Sequence, residues 1–147
     1  MSTAFLVPKQ SLGTGEIQMN ITFSWERETD GYTPVSRSNL LNEDGVSLLD
    51  CVLMESGGLP YLETIPWLEE GIRRIKSVAI GELESSDWGR ETWGVEFRNN
   101  TAKIYSLHDE EYIQILSLDG FSKVLQEWTA FLQSKPEDSE TLNLSIE

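Results

Sequence analysis

The segment that most constrains the fold is Tyr112–Leu132, which predicts a strand followed by an amphipathic helix. After Asp119 the apolar residues recur every three or four positions, so they form one stripe on a 3.6-residue helix. They are Phe121, Val124, Leu125, Trp128, Phe131 and Leu132. Asp119 or Ser117 can cap the first free N–H groups, and Pro136 ends the helix. Side chains this large need a broad apolar partner, which in a chain of 147 residues we expect to be one face of a sheet.

The strands of that sheet are predicted from a hydrophobic period of two between Ser77 and Leu118. They are expected at Ser77–Leu83, Trp93–Arg98, Thr101–Leu107 and Tyr112–Leu118. Asn99-Asn100 predicts a two-residue hairpin turn, because Asn tolerates positive φ. Polar turns are expected at residues 85–87 and 108–111. A further half-buried strand is predicted at Ile17–Trp25, where apolar and polar residues alternate.

The other segments give weaker patterns. Ile65–Lys76 predicts a helix with Gly71 on its inward face, where a neighbour is expected to pack closely. Residues 40–54 favour a helix, although 46–54 also fit a buried strand. Glu26–Ser38 is polar and predicts a surface loop. We expect a loose lead-in at residues 1–16 and a frayed, disordered tail at residues 136–147.

These elements predict one α+β domain that spans residues 1–147. Its expected architecture is an antiparallel β-meander of about four to five strands. Two to three amphipathic helices are expected to pack mainly on one face of that sheet.

The charge of the chain restricts the kind of partner. A net charge of −14 argues against direct binding to nucleic acid or to an anionic membrane, and it favours a basic partner. Cys51 is the only cysteine, so no internal disulfide can form and a reducing, cytoplasmic location is expected. The N-terminus does not resemble a signal peptide, and no apolar run approaches the length of a membrane span.

Motifs that would carry catalysis are missing from the sequence. The only histidine, His108, lies in an acidic run that predicts a solvated turn, so no metal site is expected. Cys51 lies in an apolar run and predicts an inert thiol. The sequence has no nucleophile-elbow or phosphate-loop motif. We therefore predict no catalytic residues, no cofactor and no enzyme activity, although counting acids cannot exclude a carboxylate pair.

Acidic residues around tryptophans form the candidate binding surface. In Glu82–Trp93, carboxylates surround Trp88 and Trp93 at one end of the meander, which suits a basic protein partner with an aromatic anchor. Core packing of Trp93 with a solvated acidic rim is the alternative. The predicted partner-binding residues are Glu82, Glu84, Asp87, Trp88, Glu91, Asp109, Glu110 and Glu111.

The pattern from Gly58 onward resembles bacterial immunity proteins of contact-dependent inhibition and related polymorphic toxin systems. The resemblance lies in Trp67-Leu68 with Ile72 and Ile75, in Val78–Gly81, in Ile104-Tyr105 and in Phe121–Leu132. It implies a small, acidic, cytosolic protein without enzymatic activity that binds a toxin domain, often a nuclease. Because the interface residues of such proteins vary, the resemblance assigns no site residue.

Three functions from different classes remain open. The favoured hypothesis is an immunity protein that covers the active site or substrate groove of a cationic toxin. A small carboxylate-based hydrolase would require a deep pocket with two converging acids. A scaffold or assembly subunit would require a large apolar patch and a stable homo-oligomer.

Overall fold

The computed structural model describes residues 19–136 and 141–146. This part of the chain forms a three-stranded sheet, a four-stranded sheet and three α-helices. The elements in chain order are β1 (Met19–Glu28), β2 (Gly31–Ser38), α1 (Leu48–Met54), a short 3₁₀ helix (Tyr61–Thr64), α2 (Ile65–Ala79), β3 (Ser85–Gly89), β4 (Trp93–Arg98), β5 (Thr101–Ser106), β6 (Asp109–Ser117), α3 (Leu118–Leu132) and β7 (Thr141–Ile146). The predicted lead-in and the first two residues of the predicted strand Ile17–Trp25 lie outside the described residues.

The predicted meander is confirmed as the four-stranded sheet β3-β4-β5-β6, in which each strand pairs antiparallel with the next. The Asn99-Asn100 turn joins β4 to β5, and both residues have positive φ, 52° and 65°. Two consecutive positive φ values are typical of the type I′ turn, whose twist matches that of the flanking strands. The predicted α+β class is therefore correct.

The predicted helix after Asp119 is confirmed as α3. Ser117 caps it, since the Ser117 hydroxyl accepts a hydrogen bond from the Gly120 N–H at 2.9 Å. One end of its apolar stripe contacts the four-stranded sheet, where the Phe121 and Phe97 rings lie 5.7 Å apart. The other end contacts β1, because the Phe23 ring lies 4.9 Å from Trp128. The helix is thus packed between the two sheets.

The three-stranded sheet, with the order β2-β1-β7, corrects two predictions. Glu26–Ser38 is not a surface loop, because β1 continues to Glu28 and returns through a turn as β2. The sequence of β2 is polar and contains Pro34, which hides its strand character. Residues 141–146 are not a frayed tail, because they pair with β1 as β7, with Leu144 opposite Ile21.

The region between α2 and β4 also differs from prediction. Ser77–Leu83 is not a strand, because α2 continues to Ala79 and the chain then reverses at Gly81, where φ is +86°. The predicted turn at residues 85–87 is part of β3. The apolar residues Val78 and Ile80 suggested a strand, but the helix already begun at Ile65 includes Val78. Helical continuity outweighed local β propensity here.

Residues 40–54 form a helix only from Leu48 onward, so the preferred prediction is right for the second half of the segment. A buried carboxylate fixes this helix to β2. Asp50 accepts hydrogen bonds from the Ser36 hydroxyl at 2.6 Å and from the Ser38 N–H at 2.8 Å. Burial raises the pKa of Asp50 above its ordinary value, although these hydrogen bonds oppose the rise.

Gly71 packs as closely as predicted. A Cβ at this position would lie 2.6 Å from Cε2 of the Trp88 indole, which is closer than side-chain carbons approach one another. Helix α2 can therefore contact β3 only because this residue has no side chain.

We expect Gly71→Ala to destabilise the protein. Alanine gains up to about 1 kcal/mol of helix propensity. The overpacking against Trp88 costs about 1–3 kcal/mol or more, so the net free energy of unfolding falls. Urea unfolding of the variant measures the change. Glu69→Ala, on the exposed side of the same helix, serves as the control and is expected to stay within about 0.5 kcal/mol. A Gly71→Ala protein more stable than wild type would contradict the close packing.

The stability difference between wild type and Asp50→Asn is expected to depend on pH. Since folding raises the pKa of Asp50 above 3.8, the folded state binds more protons than the unfolded state in that range. The wild-type free energy of unfolding should therefore fall relative to Asp50→Asn as the pH rises from about 3.8 through the raised folded pKa, and then level off. Urea unfolding of both proteins at several pH values tests this. A wild-type protein that becomes more stable relative to Asp50→Asn as the pH rises would contradict this expectation.

Candidate functional site

The predicted acidic residues divide between the two ends of the four-stranded sheet. The β3–β4 turn and the β5–β6 turn share one end, where the Leu107 N–H donates to the Thr92 carbonyl at 2.9 Å. Glu91 therefore lies at the same end as Asp109, where β6 begins. Glu82 and Glu84 precede β3 at the opposite end. Because β3 is a strand and not a turn, its full length separates the two groups.

The turn predicted at residues 108–111 is shorter than expected. The turn itself is Leu107-His108, and Asp109, Glu110 and Glu111 already belong to β6. These three acids are exposed, as are Glu82, Glu84, Asp87 and Glu91. At the far end, Glu84 forms an ion pair with Arg98 at 3.0 Å.

Trp88 is not available as an anchor for a partner, which corrects that part of the predicted site. Its side chain is 4% exposed, and its ring stacks on Trp67 with the centroids 4.3 Å apart. Its indole N–H donates to the Trp67 carbonyl at 2.9 Å. Trp88 therefore belongs to the core, and Trp93 is partly buried against that core.

The same stack holds the β3–β4 turn. The Arg90 guanidinium lies over the Trp67 ring at 4.5 Å, and the Trp67 N–H donates to the Gly89 carbonyl at 2.9 Å. A cation–π contact of this kind is worth about 0.5–2 kcal/mol. Because the positive charge of Arg90 lies against the Trp67 ring, Arg90 contributes to the fold of this turn.

A second anchor of this turn comes from Glu55, just after α1. Its carboxylate accepts hydrogen bonds from the N–H groups of Glu91, Thr92 and Trp93, at 3.0, 2.9 and 3.2 Å. Because the partners lie 36 to 38 positions away, no local pattern in the sequence points to this role. The carboxylate fixes the turn, so the acidic end of the sheet has a defined shape.

Three carboxylates of the four-stranded sheet lie close enough to one phenol to affect its charge. Burial and then the charges of Asp87, Glu110 and Glu96, in that order, raise the pKa of Tyr105. Only Asp87 and Glu110 were among the predicted site residues. We call Asp87, Glu96, Glu110 and Tyr105 the acidic face.

The position of Tyr105 follows from its cross-strand partner. Tyr105 lies opposite Gly94, and a Cβ on Gly94 would be 2.7 Å from Cζ of the phenol ring. The ring thus lies flat across β4, which brings the hydroxyl close to the carboxylates. Lys103 partly balances them through an ion pair with Glu96 at 3.4 Å.

Two isoleucines on the outer face of the four-stranded sheet are unusually exposed. Ile113 and Ile115, both on β6, have 39% and 53% of their surface open to solvent. Ile113 lies directly opposite Tyr105 in the β5–β6 pairing. The acidic face and this isoleucine pair are therefore neighbours, so that apolar surface lies beside a concentrated negative charge.

Two other kinds of site, a metal site and a reactive cysteine, receive little support from the described residues. They contain no cluster of three or more His, Cys, Asp or Glu side chains that could hold a metal ion. Burial and the charge of Asp50 raise the pKa of the Cys51 thiol, which reduces its thiolate fraction.

An apolar cleft of about 410 Å³ lies between β2, the end of α1 and α3. Aromatic and aliphatic side chains dominate its lining, including Tyr32, Leu53, Tyr61 and Trp128. No carboxylate is present among the described residues that line it. The cleft therefore lacks the converging acids that the hydrolase hypothesis requires.

Within the ranges that the structure describes, no helix has the length and apolarity needed to cross a bilayer. Comparisons of the chain with protein-family models, with curated proteins and with solved structures found no significant match.

Proposed function

We propose that the protein is a cytoplasmic immunity protein that binds a basic toxin domain, such as a nuclease, and blocks its active site or substrate groove. The observation that carries this proposal is the acidic face, where Asp87 pairs with Glu96 across β3 and β4 beside the Gly94–Tyr105 pair, and where Glu110 also acts on the charge of the phenol. The resemblance of the sequence from Gly58 onward to immunity proteins supports the same class.

The charge distribution suits such a partner. A net charge of −14 attracts a basic domain over long distances and accelerates its association. The carboxylates of the acidic face would meet the Lys and Arg side chains with which a nuclease holds phosphates. A protein that occupies this basic groove excludes the nucleic acid directly.

Binding also needs an apolar or aromatic anchor, since rim charges contribute more to rate than to affinity. Tyr105 replaces the buried Trp88 in this role, because its partly exposed ring lies within the acidic face. The exposed isoleucine pair beside it adds apolar surface. This combination of a central tyrosine, aliphatic neighbours and surrounding charge is typical of protein interfaces.

The scaffold alternative is favoured by one observation. Ile113 and Ile115 are exposed together, as the contact surface of a homo-oligomer would be before assembly. However, two copies with a charge of −14 each repel one another, so a basic partner suits this surface better.

The proposal predicts that neutralising the acidic face weakens toxin binding. The test uses the triple variant Asp87→Asn, Glu96→Gln, Glu110→Gln and a basic domain encoded beside this gene. We expect an affinity loss of about 10- to 100-fold, which corresponds to about 1.4–2.7 kcal/mol. Isothermal titration calorimetry at two salt concentrations measures it, and the wild-type affinity should fall as salt rises.

The matched control is Glu43→Gln, Asp44→Asn, Glu69→Gln, which changes the net charge equally at exposed positions away from the sheet. We expect its affinity to stay within about threefold of wild type. Equal losses in both variants would mean that only total charge matters. Unchanged affinity in the acidic-face variant would remove this surface from the proposed function.

A further inference from the structure

The edges of the two sheets are protected to different degrees. An edge strand presents N–H and C=O groups that can pair with another chain, and natural proteins cover such edges or interrupt them. In an antiparallel ladder, alternate residues direct these groups toward the neighbouring strand and toward the open edge. The hydrogen bonds that a strand makes with its neighbouring strand, or with a helix beside it, therefore show which of its backbone groups face outward.

The edge of β2 is covered at its outward positions from Pro34 to Ser38. Ser38 donates its N–H to Asp50 at 2.8 Å, and Ser36 donates its N–H to the Met54 sulfur at 3.5 Å. The next outward residue is Pro34, which has no N–H to leave unpaired. Helix α1 and one proline thus protect this edge from Pro34 to Ser38.

The edge of β3 is covered by α2. The Asp87 carbonyl accepts a hydrogen bond from the Arg74 guanidinium. The Gly89 carbonyl accepts one from the Trp67 indole at 2.9 Å. This strand is also short, from Ser85 to Gly89, so little of its edge is left open.

The edge of β6 has no such cover. Leu118 donates its N–H to the Asn100 carbonyl at 2.8 Å, which sets the phase of the β5–β6 ladder. Counting back by twos, Leu116 and Gln114 also face β5, and so Ser117, Ile115 and Ile113 face the open edge. Within the described chain, no hydrogen bond involves the N–H groups of these three residues.

The same three residues are exposed, and the side chains of Ile113 and Ile115 lie on the outer face beside Tyr105. Outward backbone groups and exposed apolar side chains therefore coincide on one short segment. We propose that residues 113–117 of β6 are a strand-addition site, where an extended segment of a partner becomes a fifth strand of the sheet.

The occupant that fits is an extended, basic segment of the toxin domain, so this inference rests on the proposed function. Carboxylates stand at both ends of the edge, Asp109 to Glu111 before it and Asp119 after it. A strand with apolar residues at its centre and Lys or Arg at its ends complements this arrangement. A second copy paired antiparallel would bring Asp109 of one chain near Asp119 of the other, which charge repulsion disfavours.

The test uses the full chain and a synthetic peptide, Lys-Lys-Val-Thr-Val-Thr-Lys, as the extended basic segment. We expect the peptide to slow amide hydrogen exchange at Ile113, Ile115 and Ser117 but not in the covered edge strands β2 and β3, as measured by NMR. Ile115→Pro removes one outward N–H and is tolerated in an edge strand. It should weaken peptide binding about tenfold, the equivalent of one hydrogen bond.

Ile115→Val is the matched control, because it keeps the N–H and a β-branched apolar side chain, and we expect binding within about threefold of wild type. Ile113→Pro repeats the test at the next outward position and guards against a folding defect at one site. Unprotected amides at these positions, or equal binding by both proline variants and wild type, would overturn strand addition. Protection of these amides without peptide, together with a dimer in light scattering, would show that a second copy of the chain occupies the β6 edge. This result would also overturn the proposal.

The toxin domain is absent from this experiment, so the two proposals can fail separately. Charge-dependent toxin binding with no peptide protection would overturn strand addition alone. Peptide protection at β6 with toxin binding that ignores the acidic face would overturn the proposed function alone.

Discussion

The structure depends on the burial of one aromatic stripe between two sheets. Phe121 of α3 packs against Phe97 of the four-stranded sheet, and Trp128 and Phe131 pack against Phe23 of the three-stranded sheet. All five residues in these contacts are at most 4% exposed. The two sheets have separate strand ladders, so α3 joins them through side-chain packing. Truncating such a side chain costs about 3–5 kcal/mol, which is a large fraction of the stability of a small protein.

The sequence was informative where the pattern is local. The stripe of α3, the alternation in β4 and the Asn99-Asn100 turn each depend on neighbours within a few positions, and all three were predicted correctly. The strands β2 and β3 escaped prediction although each pairs with a neighbouring strand through a short turn, because the contacts that bury their residues come from helices outside the hairpin. Asp50 of α1 accepts the hydrogen bond from the outward Ser38 N–H of β2. Trp88 is buried only because Gly71 allows α2 to approach it. A pattern of single residues does not contain such contacts.

The candidate site was predicted in composition but not in geometry. An excess of acids and a partner of opposite charge follow from the sequence alone. The proximity of Asp87, Glu96 and Glu110 to Tyr105 follows from the register of four strands. The acidic residues around Trp88 suggested an exposed anchor, and Tyr105 was not among the predicted site residues, because the sequence did not reveal the strand β3 or the contact with Gly94.

The central position of β1 has a consequence for how the chain is made. Its two neighbours are β2, which follows immediately, and β7, whose Asn143 bonds to Thr22 across 121 positions. During synthesis one side of β1 therefore stays without its partner until almost all of the described chain has left the ribosome. Long-range pairing of this kind slows folding and exposes a strand edge to wrong partners. A nascent chain stalled before residue 141 would present a half-built sheet, because β1 would still lack β7.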